Sequence, residues 1–416
     1  MTTPPAAGAG QAVPAAAAGW RRAELAYCSN VHPGTGPDAL AGHLRGPIRA
    51  VRERRGLGSM AAGLWLPAAA ARALDPAGPA TDPGRLAGLL ADAGLALRTL
   101  NGFPFGDFHG DRVKEAVYRP AWDRPERLDY TLSLARVLAR CLDPTAAEGT
   151  ISTLPLGFAA GWSPDRHARA LEQLCRLAAG LQDLAGHGGR PIRVCLEPEP
   201  DCVIETTDQA IRLFGEELPA AARLAGVPAD ALRDHLGLCF DVCHQAVQFE
   251  DPAESLGRLA AAGVRVAKIQ VSSALEVRDP ARADLADALA PFAEPRYLHQ
   301  VRCRDADGRL HGRRDLPDAL ADGFARSGPW RIHFHVPIQH AAAAGGIGTT
   351  RDAILRTLDH LAAVPAPRPH LEVETYTWLV LPPARRPRDQ ASLVAGLAGE
   401  LAWLEREMTR RGLLAG

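Results

Sequence analysis

Short apolar runs alternate with longer amphipathic stretches from about residue 24 to the end of the chain. Apolar runs bounded by Gly, Pro, Asn and Ser are typical of buried strands, and the longer stretches place Ala and Leu at helical spacing. Repeated strand–helix alternation favours βα units around a parallel sheet. The strand candidates are residues 24–32, 62–67, 95–104, 149–157, 192–200, 235–244, 264–273, 330–337 and 370–378.

Two of the intervening stretches show the helical pattern most plainly. Residues 166–186 and 351–363 carry Leu and Ala stripes that predict packing against the sheet, and the first ends at Gly186, a residue type that favours helix C-termini. A chain of 416 residues is long enough for several domains. An α/β barrel, however, runs to about 250 residues or more as one unit. We therefore predict the α/β class and a single (β/α)₈ (TIM) barrel.

The strand candidates exceed by one the eight strands of such a barrel. The surplus falls between residues 264 and 337, where Asp307 and Gly308 form a dipeptide typical of tight hairpin turns. We therefore expect an extra hairpin-like segment near the seventh strand, with one strand candidate of this region outside the barrel wall.

An aromatic-rich insertion is predicted at residues 102–149, after the third strand. Loops that follow barrel strands lie on the C-terminal face, over the site of catalysis. The insertion is therefore either a lid or pocket wall that grips a ligand, or a flap with a small core of its own. Its aromatic residues are Phe103, Phe105, Phe108, Tyr118, Trp122 and Tyr130.

Residues 1–22 are mostly Ala, Pro and Gly, which predicts a disordered tail before one barrel domain over residues 23–416. The tail lacks the basic start and unbroken apolar stretch of a signal peptide, and no apolar run is long enough to span a membrane. The eight cysteines form no C-x-x-C pair, which favours buried free thiols in a reducing compartment. We therefore expect a cytoplasmic protein.

The formal net charge is −1, and the basic residues are scattered. This balance gives no reason to expect binding of nucleic acid or of an anionic membrane surface. The expected partner is a small-molecule metabolite. The oligomeric state stays open, a homo-oligomer included.

Ionisable residues mark the ends of several late strands. Inward-facing side chains at strand C-termini point into the mouth of a barrel, where carboxylates that converge repel one another and unpaired charges are costly. A divalent cation resolves that repulsion, and oxygen-rich sites with one imidazole suit Mn, Mg, Co or Zn. For any one residue alone, a salt bridge is the alternative. The residues are Glu197, Glu199, Asp241, His244, His333, His335, Glu372 and Glu374.

The order of these motifs resembles the sugar isomerase/epimerase branch of the xylose isomerase-like barrels. Glu197 in LEPEP matches the first Glu of that pattern, and Glu374 in LEVE matches the closing Glu. Asp241 and His244 in FDVCH match its Asp-x-x-His. The resemblance implies one divalent metal held by Glu, Asp, His and Glu, and a substrate contact by His244.

The resemblance leaves the histidine ligand of the metal to be located near the seventh strand. His335 is favoured, because the route from His335 to Glu374 resembles the family's route from the seventh strand to the eighth. Gln270 and His333 are the alternatives. The expected metal set is therefore Glu197, Asp241, His335 and Glu374.

Longer phrases resemble a narrower group, the bacterial EboE-type metabolite traffic proteins. The phrases include YCSNVHPG, TLNGFPFGDFHG, VKEAVYRPAW and LEVETYTWLVLP, and they extend over residues 24–382. This resemblance implies the same barrel and a role in handling secondary metabolites, without naming a reaction.

Further residues are candidates for substrate binding. Asn101 ends the third strand, His32 follows the first, and Lys268 has the inward parity of Gln270. Trp122 belongs to the aromatic insertion. Each has an ordinary structural alternative, such as a turn, a surface position, an ion pair or a core position.

The sequence supports three hypotheses of function. The first is a metal-dependent isomerase or epimerase of a hydroxy-carbonyl or sugar-like metabolite, in which Glu197 and Glu374 exchange the proton and His244 orients the substrate. The second is a metabolite-binding carrier without turnover. The third, a phosphodiesterase like endonuclease IV, is disfavoured because the second and third strands lack a terminal His.

Overall fold

The computed structural model describes residues 19–78, 84–186, 189–321, 323–364 and 367–415. Most of the predicted N-terminal tail, residues 1–18, lies outside these residues. At its end the prediction of a tail to residue 22 is wrong. Trp20 is buried, its indole Nε1 donates to the Pro369 carbonyl over 3.1 Å, and its backbone forms a bridge with Leu414. Burial of the large apolar surface of this indole anchors the chain at this position.

The strands fall into two sheets. In chain order they are β1 Ala26–Tyr27, β2 Met60–Trp65, β3 Leu95–Asn101, β4 Gly149–Thr153, β5 Ile192–Leu196, β6 Leu236–Asp241, β7 Val266–Val271, β8 Leu275–Val277, β9 Val301–Arg304, β10 Leu310–Arg313, β11 Trp330–Ile332, β12 Gly348–Thr349 and β13 His370–Val373.

The first sheet is a nearly closed parallel barrel of eight strands, in the order β1-β13-β7-β6-β5-β4-β3-β2. A parallel bridge between Cys28 and Gly63 brings the two end strands together. Strands β2, β4, β5 and β6 are buried along their whole length, as expected for parallel strands covered on both faces. The predicted (β/α)₈ barrel is confirmed.

Helices surround the barrel and connect its strands. Residues 166–186 and 351–363 are helical as predicted, within α6 (Pro164–Gly186) and α14 (Arg351–Ala363). The helices are α1 Pro37–His43, α2 Arg49–Arg54, α3 Ala68–Leu74, α4 Arg85–Ala93, α5 Pro125–Cys141, α6 Pro164–Gly186, α7 Thr207–Arg212, α8 Leu218–Ala225, α9 Ala229–His235, α10 Val242–Val247, α11 Pro252–Ala261, α12 Leu285–Leu289, α13 Leu316–Leu320, α14 Arg351–Ala363 and α15 Gln390–Arg410.

The second sheet explains the surplus strand candidate. Strands β10, β9, β11, β8 and β12 form an antiparallel sheet between the seventh and eighth barrel strands. The candidate at residues 330–337 contributes β11 to this sheet, and β7 is the seventh barrel strand. The predicted turn at Gly308 joins β9 and β10, and its φ of 82° needs the conformational freedom of glycine.

The aromatic insertion is shorter than predicted. Residues 102–149 include α5, which is the ordinary connection from β3 to β4, so the additional segment is confined to residues 102–124. Phe103, Phe108 and Tyr118 line a cavity at the barrel mouth. Trp122 is instead fully buried, and the Tyr130 hydroxyl donates to the Leu66 carbonyl over 2.6 Å. The insertion therefore combines a pocket wall with a small core.

Two further sequence expectations concern membranes and thiols. Within the described residues, no helix combines the length and the apolar character that a membrane crossing requires. All eight cysteines are free thiols, and all but Cys141 are buried.

The barrel interior contains a buried ion pair between two barrel strands. Lys268 Nζ of β7 lies 2.7 Å from Glu372 Oε2 of β13, and neither side chain is exposed. Gly63 of the neighbouring β2 leaves the space for this pair, because a Cβ there would lie 1.6 Å from Glu372 Oε1. A glycine is therefore required at position 63 by close approach rather than by its backbone conformation.

We expect Gly63→Ala to lower the free energy of unfolding by about 3 kcal/mol, because the added methyl group displaces the carboxylate from its buried ion pair. Urea denaturation of the purified variant measures the change. Gly88→Ala is the matched control, since among the described residues no atom lies within 4 Å of the added Cβ in α4. The control should retain wild-type stability or gain up to about 1 kcal/mol. Equal stability of Gly63→Ala and wild type would contradict this account.

Candidate metal centre

Four segments bring ionisable residues to the C-terminal mouth of the barrel. Glu197 directly follows β5, Asp241 ends β6, and Glu374 directly follows β13. His335 comes from the segment that follows β11, a strand of the second, antiparallel sheet (the appended sheet). The C-terminal ends of parallel strands meet at one face of a barrel, so residues far apart in sequence become neighbours there.

The three carboxylates form one buried group. Glu197, Asp241 and Glu374 each offer a carboxylate oxygen, and these oxygens lie within 4.8 Å of one another. A second group with the same spacing consists of Asp241, His244 and His335, so Asp241 belongs to both. His335 Nε2 lies 3.9 Å from Asp241 Oδ2. All five side chains are at most 4% exposed.

The ligand atoms of this cluster are left without protein partners. In the part of the chain that the structure describes, Glu197 Oε2, Asp241 Oδ2 and His335 Nε2 are buried and accept or donate no hydrogen bond. Buried polar atoms are normally satisfied, because burial without a partner costs roughly 1–3 kcal/mol for each group. Unsatisfied acceptors that converge from three segments form a candidate site for a cation.

Hydrogen bonds fix the orientation of each ligand. Asp241 Oδ1 accepts from Ser272 Oγ over 2.8 Å and from the His244 amide over 2.9 Å, which leaves Oδ2 free. Glu374 Oε1 accepts from the amide groups of Asn30 and Asn101 over 2.8 and 2.9 Å. These contacts present one oxygen of each carboxylate to the cluster, as supporting contacts around metal ligands do.

The imidazole of His335 is oriented in the same way. Its Nδ1 lies 2.8 Å from the backbone carbonyl of Glu374. A carbonyl only accepts, so Nδ1 carries the hydrogen and Nε2 presents a lone pair to Asp241. This is the tautomer that a metal-binding imidazole requires.

Electrostatics in the cluster favour protons or a cation. Burial, together with the charges of Glu374 and Asp241, raises the pKa of Glu197 well above its ordinary value. Burial, Asp241 and Glu372 raise the pKa of Glu374 in the same way. Burial lowers the pKa of His244 to about 4 and also lowers that of His335, so both imidazoles are neutral. Neutral imidazoles and carboxylates short of a counter-ion are suited to a metal.

The donor set fits a divalent cation. Three carboxylates and one imidazole offer the oxygen-rich, mixed coordination that Mn, Mg, Co and Zn accept. The residues Glu197, Asp241, His335 and Glu374 are thus placed to hold it. For the histidine position, His335 is oriented toward Asp241, whereas His333 Nε2 faces His244 at 3.1 Å. Gln270, one residue before the end of β7, has a buried amide.

A cavity opens above this cluster, and the ligands of the cluster line it together with Asn30 and Asn101. The rest of its lining is mainly aromatic. This aromatic wall consists of Phe103, Phe108, Tyr118, Tyr297 and Tyr376.

The structure brings together most of the sequence-predicted site residues. Glu197, His244, His335, Glu374 and Asn101 line the cavity, and Asp241 lies in contact beneath them. Asn101 contacts the carboxylate of Glu374 rather than open space. The side chain of Asn101 therefore contacts a candidate metal ligand. A contact between Asn101 and a substrate stays a prediction.

Three proposed substrate contacts do not line the cavity. Lys268 lies deeper in the barrel, where Glu372 holds its ammonium group. His32 accepts or donates a hydrogen bond with the Tyr27 hydroxyl at 2.9 Å and packs on His43, in a separate surface cavity. Trp122 is fully buried in the insertion's core. The hydrogen-bonding groups of Lys268 and His32 thus have protein partners, and Trp122 is a core residue.

The sequence interpretation did not single out several cavity residues. Asn30 and Tyr376 lie three residues after the ends of β1 and β13, within the phrases YCSNVHPG and LEVETYTWLVLP. Their position after barrel strands is a signal that could have identified them. Tyr297 comes from the appended sheet's region, and no strand end marks its place.

Comparisons with known proteins give likenesses of structure only. No protein-family model matches the chain, and no curated protein matches its sequence. A xylose isomerase domain protein from Planctomyces limnophilus is 17% identical, with a TM-score of 0.46, over 86% of this chain and 92% of that one. A D-allulose 3-epimerase from Methylomonas sp. is 13% identical, with a TM-score of 0.46, over 94% and 99%. The zinc-binding IolI protein is 12% identical, with a TM-score of 0.42, over 93% and 97%.

At these identities and TM-scores the assignment of the fold rests on the strand order and registers described above. The fold and the site together define a (β/α)₈ barrel with a buried carboxylate–histidine cluster, suited to a divalent metal, at its C-terminal mouth.

We expect the affinity for Mn²⁺ or Zn²⁺ to rise as pH increases. The raised pKa values of Glu197 and Glu374 mean that protons occupy these carboxyls without metal, and a cation must displace them. Affinity then grows by up to about tenfold per pH unit for each displaced proton. Calorimetric titration in two buffers of different ionisation enthalpy measures both the affinity and the proton release.

Asp241→Asn should lose this binding, while Asp352→Asn, an exposed carboxylate in α14, should bind as wild type. An affinity that stays constant or falls with rising pH would contradict the proposed coupling between protons and the cation.

Proposed function

We propose that the protein is a metal-dependent isomerase or epimerase of a hydroxy-carbonyl metabolite. The observation that carries the proposal is the buried cluster of Glu197, Asp241, His335 and Glu374 beside a cavity. Among the described residues, the first three each carry a buried atom without a hydrogen-bond partner. Reactions of this class move a proton between neighbouring carbon atoms and need two carboxyl groups and an electrophile.

The four ligands would hold the cation within reach of substrate oxygens. When bound, a divalent cation supplies Lewis-acid polarisation of a carbonyl or hydroxyl oxygen. The chain itself orients the carboxylates. Asn30 and Asn101 hold one oxygen of Glu374, and the other remains available for the substrate or the cation.

Glu197 and Glu374 would act as the base and acid of the proton transfer. One carboxylate takes the proton from the carbon beside the carbonyl, and a carboxyl returns a proton to the neighbouring carbon or to the opposite face. Both side chains line the cavity, so both can reach a substrate bound there.

His244 would orient a substrate hydroxyl. Its Nδ1 donates to the Pro198 carbonyl over 2.9 Å, so Nε2 carries a lone pair, and the side chain lines the cavity. A lone pair in that place accepts a hydrogen bond from a hydroxyl group.

The aromatic wall favours a substrate that is larger and less polar than a simple sugar. Five aromatic side chains face the polar cluster across the cavity, and such surfaces bind apolar or ring-containing groups. A metabolite with a hydroxy-carbonyl end and an apolar body fits both sides. Handling of secondary metabolites, implied by the resemblance to the EboE-type group, is consistent with this substrate class.

A metabolite-binding carrier without turnover is the second candidate, favoured by the same aromatic wall. Such a carrier binds the apolar body and needs no proton transfer. Tight binding of an amphipathic hydroxy-carbonyl compound, with no product and no exchange of the α-hydrogen with deuterium from solvent, distinguishes it from the enzyme.

We expect Glu374→Gln to reduce turnover by about 10²–10⁴-fold and to retain substrate binding, because the amide keeps the shape and loses the exchangeable proton. Exchange of the α-hydrogen for deuterium in D₂O, followed by mass spectrometry over a panel of hydroxy-carbonyl compounds, provides the assay. Glu254→Gln, at an exposed position of α11, is the matched control. Wild-type exchange in Glu374→Gln would overturn the assignment of Glu374.

A further inference from the structure

Three of the segments at the barrel mouth each carry two potential metal ligands. The first cluster contains one residue of each pair. Beside Glu197, Asp241 and His335, the same segments carry a second set that is also buried. One ligand atom of each member of this second set lies within 4.8 Å of the others. The second set consists of Glu199, His244 and His333.

Hydrogen bonds determine which nitrogen of His244 carries the hydrogen. Its Nδ1 lies 2.9 Å from the Pro198 carbonyl, which can only accept. Nδ1 is therefore the donor, and Nε2 has a free lone pair in the neutral ring.

The tautomer of His333 follows from a chain of contacts. Gln300 Nε2 lies 3.1 Å from the Pro200 carbonyl, so the amide NH₂ of Gln300 faces that acceptor and its Oε1 faces His333. His333 Nδ1 lies 2.7 Å from this oxygen and donates to it. The Nε2 of His333 therefore also presents a lone pair.

The two lone pairs face each other. His244 Nε2 and His333 Nε2 are 3.1 Å apart, and two acceptors cannot form a hydrogen bond. Two imidazole nitrogens bound to one ion, with bonds of about 2.0–2.1 Å, are separated by roughly 3–3.4 Å. The observed separation is thus the spacing that a shared ion requires.

Glu199 adds a negative charge to this pair of imidazoles. The Tyr118 hydroxyl donates to its Oε1 over 2.7 Å and itself accepts from Gln300 Nε2 over 3.0 Å. The same amide therefore orients both His333 and, through Tyr118, Glu199. Supporting contacts that fix several ligands at once are typical of metal sites.

We propose that Glu199, His244 and His333 form a second cation site beside the first. Two imidazoles and one carboxylate suit Zn²⁺ or Co²⁺ better than Mg²⁺. The site goes beyond the proposed isomerase chemistry, which needs only the ion at Glu197, Asp241, His335 and Glu374. With the second ion in place, the Nε2 lone pair of His244 would bind that ion, which would replace the direct contact between His244 and a substrate hydroxyl.

Metal content tests the proposal without any assay of activity. Metal-free protein is incubated with excess Zn²⁺ or Co²⁺, freed of unbound ion and analysed by elemental mass spectrometry. We expect about two ions per wild-type chain and about one in His333→Asn and Glu199→Gln. The Asn amide retains a donor near the place of Nδ1 and removes the ligand nitrogen. His340→Asn, a histidine outside the mouth, is the control and should retain the wild-type content.

The visible spectrum of the Co²⁺ protein gives a second readout, since His333→Asn should remove the bands of the nitrogen-rich ion and leave the others. One ion in wild type, lost in Asp241→Asn and unchanged in His333→Asn and Glu199→Gln, would overturn the second site while leaving the first intact. No bound ion in wild type would overturn both.

Discussion

Burial of like charges at the barrel mouth is the constraint on which the site depends. Glu197, Asp241 and Glu374 meet where water is largely excluded, and their mutual repulsion must be relieved by protons or by a cation. The surrounding contacts are arranged for the second solution. Asn30 and Asn101 both donate to one oxygen of Glu374, and Ser272 donates to one oxygen of Asp241. Nδ1 of His335 donates to a backbone carbonyl, so the remaining ligand atoms point inward together.

One layer deeper in the barrel, the charge of a buried carboxylate is compensated in a different way. There Glu372 has a protein counter-ion, Lys268, and Gly63 gives the pair its space. Two glutamates of the same strand, two residues apart, thus have opposite environments. One is neutralised within the protein and stabilises the interior, and the other is left for a ligand. The contrast supports the proposed role of Glu374, whose neighbours are other carboxylates where Glu372 has a lysine.

The sequence pattern predicted the barrel and the carboxylates of its mouth, because strand periodicity and strand ends are local properties. It misjudged Lys268, since alternation along a strand tells which way a side chain points and not its depth in the barrel. Depth follows from register: Lys268 pairs with Cys239, two residues before Asp241. His335 was found by resemblance although its segment belongs to β11 of the appended sheet. Tyr297 was missed because long-range packing alone brings it to the cavity.

The position of His335 also has a consequence for how the site is assembled. The carboxylate candidates end or directly follow barrel strands, whereas His335 and its neighbour His333 follow β11, a strand of the second sheet. A cation held by both groups would bind completely only when the second sheet is packed against the barrel mouth. Because a ligand that binds only the folded state stabilises that state, such a cation would stabilise the packing of one sheet on the other.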